Sequence, residues 1–196
     1  IPAMAGLADR TDNPSALKGY LEHAAKKGYD KGLLVDIASV IDFVSSKLRF
    51  MEAREYIEVL FGEPMEKQKA LVALLAPHIQ GADRKGLEIA KEAAKSEKVG
   101  NITVQYLDIE KNFPRFFYPK PGKCVSMLHD HAQEQKKAER LVTAGIMPDA
   151  MTLRATDESK FSVHELIDYL NKKVPSAFVE GGGHKRAGSI KFIPSK

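Results

Sequence analysis

Apolar positions recur at helical spacing through the first half of the chain, and the period changes near Lys98. In "LLVDIASVIDFVSSKLRF" the residues Leu34, Ile37, Ile41, Val44 and Leu48 fall three and four apart, which predicts a helix with one buried face. "NPSALKGYLEHAAKKG" carries a proline suited to a first helical turn and ends on glycine behind two lysines, the usual asymmetry of helix ends. "AREYIEVLFGEP" and "EKQKALVALLAPHIQG" read as helices closing at Gly62 and Gly81, and "DRKGLEIAKEAAKSEK" as a further, more exposed one rich in paired charges. About five helices and no convincing strand up to Ser96 predict a helical bundle.

Beyond "KVG" strands and helices alternate. "ITVQYLDIE" has the two-residue period of a strand, and "VSMLHDHAQEQKKAE" returns to a helix. "RLVTAGI", the turn "MPDA" and "MTLRAT" predict a β-hairpin. Ser162 with Glu165 three residues later is a capping box that starts a helix. A glycine run and a last strand, "SIKFIP", complete the chain. The second half is therefore an α/β domain with a mixed sheet, preceded by an all-α helical insert. The predicted divisions are 1–18, 19–97 and 98–196.

Composition narrows the class. At 196 residues and 43% hydrophobic content the chain can bury a substantial core. A single cysteine, Cys124, excludes a disulfide scaffold and suits a reducing cytoplasm. No apolar run reaches the length of a membrane span. A net charge of +4 permits a polyanionic partner without requiring one.

The stretch with most chemistry is "VEGGGHKRAGSIKF". Gly181, Gly182 and Gly183 let the backbone approach another molecule without side-chain obstruction. Were a helical turn to begin near His184, its N–H groups would form an anion site, with His184, Lys185 and Arg186 adding donors and charge. A glycine-rich turn leading to an edge strand is the plainer reading.

The order of these residues resembles the GGGH motif that ends the DHH-associated domain of the DHH phosphoesterase superfamily. Ala187, Gly188 and Ser189 stand where that family carries two alanines and a glycine after two variable residues. "LRATD", with Arg154, sits where the family has an arginine-bearing strand. The likeness covers about the last hundred residues. At the other end "AMAGLADRTD" is similar to the last motif of the DHH catalytic domain and matches its metal-holding aspartate with Asp9. The family's Asp-His-His triplet is missing, and the chain starts at Ile1, so it reads as part of a longer enzyme and is expected to be inactive alone.

"LHDHAQE" contains His129, Asp130 and His131, which invite a metal. Residues two apart on a helix point to nearly opposite faces, so the two histidines cannot share one ion. A partly exposed helix face is the expectation there, with Cys124 a buried structural thiol.

A helical insert between the two matches resembles the archaeal RecJ-like nucleases, including the GINS-associated nuclease. The resemblance implies a single-strand-specific exonuclease of DNA replication and repair, hydrolysing phosphodiester bonds with Mn²⁺ or Mg²⁺. It implies single-stranded DNA or RNA as a partner through Arg154, Gly181, Gly182, Gly183, His184 and Lys185, a GINS subunit as a partner of the insert, and no membrane. Two alternatives stand beside it: a phosphodiesterase of the same superfamily for oligonucleotides or cyclic dinucleotides, and a non-catalytic replication adaptor.

Overall fold

The computed structural model describes residues 14–114, 117–135 and 138–194. The metal-holding position expected at Asp9 lies outside them. Among the described residues no helix is long and apolar enough to cross a membrane. The chain forms two compact units, Ile1–Ala82 and Asp83–Lys196, dividing earlier than the change of pattern at Lys98.

The first unit is helical. Its elements are α1 (Pro14–Lys26), α2 (Lys31–Lys47), α3 (Phe50–Gly62) and the first part of α4 (Met65–Ala93). Asp30 starts α2 by accepting the Leu33 backbone N–H at 2.8 Å, which satisfies one of the donors a helix start leaves open. Of the predicted stripe, Leu34, Ile37 and Val44 are buried, each at most 2% exposed, while Ile41 and Leu48 are only half-buried and Val40, outside the predicted stripe, is buried in their place. Leu60 of α3 and Val72 and Ile79 of α4 are also buried. The buried Gln68 is satisfied on both sides, its Oε1 accepting from Tyr29 Oη at 2.7 Å and its Nε2 donating to the Glu63 carbonyl at 2.8 Å.

Two predicted helices are one. Helix α4 passes through Pro77 and Gly81 without stopping and runs 29 residues. Glycine within a helix costs about 1 kcal/mol against alanine. The apolar face continues beyond it: Ala90 is fully buried, with Ile89 and Ala93 packed against the same cluster.

The second unit is built on a six-stranded mixed sheet in the order β1-β2-β3-β4-β6-β5. The strands are β1 (Lys95–Val99), β2 (Ile102–Asp108), β3 (Leu141–Ile146), β4 (Ala150–Ala155), β5 (Glu180–His184) and β6 (Ala187–Lys191). Only β2 and β3 pair in parallel. Between them lie the short α5 (Ile109–Asn112) and the longer α6 (Pro121–Glu134), while α7 (Val163–Lys173) precedes β5. The predicted hairpin of β3 and β4 is present, as is the α7 start, where Ser162 Oγ accepts from the Glu165 N–H at 3.4 Å.

Strand alternation divides the core in two. On one face Leu107 packs with Cys124, Val125 and Leu128 of α6, together with Ala90, Ile109 and Phe113. On the other, Val142, Ala144, Leu153 and Ile190 pack with Val163 and Val179. Helix α6 covers β3 and β4 on the first face. It stops short of the hairpin β5–β6, where Gly182 and Ser189 on that face remain exposed and His184 and Ala187 are half-buried.

Candidate nucleic-acid interface

The glycine run is a strand, and no helix starts at His184. Gly181, Gly182 and Gly183 lie within β5, His184 ends it, and a two-residue turn at Lys185 and Arg186 leads straight into β6. The anion site built from a helical turn is therefore corrected: the alternation of β6 and its five backbone pairings hold this stretch extended. What the site has instead is a sheet surface.

Cross-strand register places the expected residues together. Arg154 of β4 is opposite Ala187 of β6, and Ala187 is opposite His184 of β5. Residues directly opposite share a face, so Arg154 and His184 stand on the same face, two strand spacings or about 10 Å apart. Two positions along, Thr152, Ser189 and Gly182 form the next row on that face. The hydroxyls of Thr152 and Ser189 are 3.3 Å apart. The result is a shelf: a cation and an imidazole in one row, two hydroxyls and a bare stretch of backbone in the other.

The three glycines serve different ends. A Cβ on Gly181 would strike the Ser189 carbonyl and come within 2.8 Å of Ile190 Cα. Gly183 has φ +124°, and a Cβ there would meet the Ala187 carbonyl at 2.5 Å. These two are required by the hairpin itself. Gly182 is not, because a Cβ there would meet nothing within 4 Å.

Arg154 is held by α6. Its Nε donates to Ser126 Oγ at 2.9 Å and its Nη1 to the Leu153 carbonyl at 2.8 Å. Lys185 is exposed at the hairpin turn, where its carbonyl accepts the Val163 N–H at 3.0 Å. Arg186 is turned to Asp157 instead, with Nε 3.1 Å from Oδ1. Its carbonyl accepts the Ala155 N–H at 2.8 Å. Both cations form the turn, and Arg186 fastens it.

His129 corrects the expectation of a partly exposed helix face. It is 6% exposed and lies against the sheet, with Nδ1 2.9 Å from Thr143 Oγ1. Thr143 is in turn 3.4 Å from Gln105 Oε1. Burial, helped by the Arg154 charge and opposed by Asp130, pulls the His129 pKa below the ordinary imidazole value. Cys124 is buried as expected, its Sγ donating to the Pro119 carbonyl at 3.2 Å, and burial with the nearby Asp83 pushes its pKa up to about 12. Among the described residues no three His, Cys, Asp or Glu side chains converge where an ion could sit. The Mn²⁺ or Mg²⁺ that the resemblance implies has no ligand set there.

Ser126, Thr152 and Ser189 carried no signal in the sequence. Their places follow from the sheet order, in which β6 lies between β4 and β5.

No family model matches the chain. An uncharacterized protein of Methanocaldococcus jannaschii is 29% identical over 174 residues, which take in 84% of this chain and 23% of that protein. A solved structure described as the DHH domain of a member of the s1p family of ribosomal proteins is 36% identical, with a TM-score of 0.77, over 98% of this chain and 45% of that one. A pGpG-specific phosphodiesterase from Vibrio cholerae matches 76% of this chain and 48% of its own at 11% identity and a TM-score of 0.40, too loose to bear on the fold. The chain thus spans less than a quarter of the curated relative and less than half of the solved DHH chain. Over nearly its whole length it is similar to a solved DHH domain.

Proposed function

We propose that the chain is part of a DHH-family phosphoesterase of the RecJ-like kind, and that its α/β unit grips the phosphates of a single-stranded polynucleotide on the shelf between α6 and β5. The observation that carries this reading is Gly182. The fold makes no demand for glycine at that position, whereas a ligand lying close against the strand backbone would.

The surrounding chemistry fits a phosphodiester. Arg154 offers a planar, permanently charged donor set, which matches phosphate oxygens. His184 is on the same face, and Thr152 and Ser189 bring hydroxyls into the next row. Contacts of this kind position a nucleic-acid strand without reading its bases. The shelf lies along an exposed sheet edge, which suits a chain passing through more than a closed pocket for a small molecule. In the whole protein, hydrolysis with Mn²⁺ or Mg²⁺ in replication or repair would fall to the catalytic domain whose last motif the resemblance places at Asp9. The helical unit would serve a protein partner, with a GINS subunit the candidate the resemblance names. Met51 and Phe61 of α3 and Leu74 of α4 are exposed apolar side chains of that unit.

The test is fluorescence anisotropy of labelled single strands, DNA and RNA separately, titrated with the chain at several salt concentrations. Arg154→Ala and His184→Ala are expected to weaken binding about tenfold or more, since a hydrogen bond to a charged group contributes about 1.5–3 kcal/mol. The Arg154 variant should also flatten the salt dependence by about one phosphate contact. Two variants that melt like the parent and bind both strands as tightly would overturn the reading.

A further inference from the structure

We propose that Ser126 is a positioning residue for phosphate recognition: from α6 it fixes the orientation of Arg154 on the shelf. The inference rests on the shelf as the anion-binding surface.

Ser126 Oγ makes two hydrogen bonds of opposite sense. It donates its proton to the Gly122 carbonyl, one turn back, at 3.0 Å. With that proton committed, the hydroxyl presents only acceptor capacity outward, and Arg154 Nε–H takes it at 2.9 Å. A guanidinium is planar, so anchoring Nε and Nη1 at once, the latter on the Leu153 carbonyl, sets the whole plane. Orientation matters for Arg more than for Lys, because its value to a phosphate comes from paired, directional N–H groups.

The fold has little use for this serine. Ser back-bonding to the residue four before it slightly destabilises a helix, and alanine is the better helix former. The apolar contact of α6 with the sheet is already made by Cys124, Val125 and Leu128. One turn beyond Ser126, His129 binds Thr143, the register partner of Arg154 on β3. Two successive turns of α6 therefore pin the strand pair that carries the arginine. Ser126 is the one of the two that touches it.

The experiment is a double-mutant cycle on the full chain, read by anisotropy of a fluorescein-labelled oligodeoxythymidylate at fixed salt, with thermal melting of every variant. Ser126→Ala should melt at or above the parent temperature and bind about three- to tenfold more weakly. The same substitution in an Arg154→Ala background should change binding by less than a factor of about two, because nothing remains to orient. Ser126→Thr, which keeps the hydroxyl, should restore most of the affinity in the single variant. If Arg154→Ala weakens binding while Ser126→Ala does not, the positioning role is wrong and the shelf stands. If Ser126→Ala weakens binding equally in both backgrounds, the serine acts independently of Arg154 and the inference is also wrong. If Arg154→Ala itself has no effect, the shelf reading fails and takes this inference with it.

Discussion

Replacing each of Gly181, Gly182 and Gly183 by alanine separates what the hairpin needs from what a ligand needs. At Gly183 the new side chain must adopt φ +124°, where L residues are strained by about 1–3 kcal/mol, and it meets Ala187 O and Gly188 Cα at 2.5 and 2.7 Å. At Gly181 the obstruction is again backbone, Ser189 O and Ile190 Cα, which cannot swing aside as a flexible side chain could. Overpacking of that kind costs about 1–3 kcal/mol. At Gly182 there is no obstruction and no positive φ. Alanine there restricts the unfolded chain and is expected to stabilise by about 0.4–1 kcal/mol. Urea denaturation would thus rank Gly182→Ala at or above the parent, with the other two clearly below it. Binding should rank differently: Gly182→Ala puts a methyl group where a phosphodiester would lie against the strand. Its loss of affinity for single strands should reach about tenfold, the scale of one charged hydrogen bond. A Gly182→Ala protein that is both stable and fully able to bind would refute the argument, leaving β5 a plain edge strand.

Two further predictions concern the interior under α6, beside the shelf. His129 has its pKa lowered by burial, so the unfolded state takes up its proton first as pH falls. Its contribution to stability is complete above about pH 6.5 and is lost as pH drops from there through the folded-state value. His129→Gln should flatten that part of a urea stability curve measured from pH 8 to pH 5, and parallel curves for parent and variant would disprove it. Cys124, with its pKa pushed up to about 12, should resist a thiol reagent at pH 8 in the native protein and react only on denaturation. Prompt labelling of the folded chain would contradict its burial.

The elements that pattern alone predicted were those with a buried stripe. Helix α2 was legible because Leu34, Ile37 and Val44 repeat at helical spacing and are the residues the core buries. The hairpin β3–β4 was legible because its strands carry apolar residues on one face and a turn between them. Strand β1 was not. Its sequence, "KSEKV", is exposed throughout and continues the charged texture of α4, so nothing local distinguishes it from helix. It is a strand because β2 offers an edge to pair with, and Tyr106 Oη donates to Glu97 Oε1 at 2.7 Å across the pair. Charged edges of this kind also discourage association with other chains. The expected break at Gly81 failed for the converse reason: local propensity disfavoured continuation, and burial of Ala90 on the sheet side outweighed it.

The site was legible as a list of residues and not as a surface. Arg154 and His184 are thirty positions apart, and their common face depends on β6 inserting between β4 and β5, which neither segment's own pattern encodes. Once that order is known the rest follows by counting. Odd and even positions separate the shelf from the core, so Leu153 and Gly188 turn to the apolar side while Arg154 and Ser189 turn outward. The glycine run has no strand signature of its own. Glycine weakens strands, and three together lack the alternation that marks one. In β5, two of them keep the pairing with β6 close, and only the middle one opens onto the shelf. Gly182 is therefore the position at which fold and function can be told apart by a single methyl group.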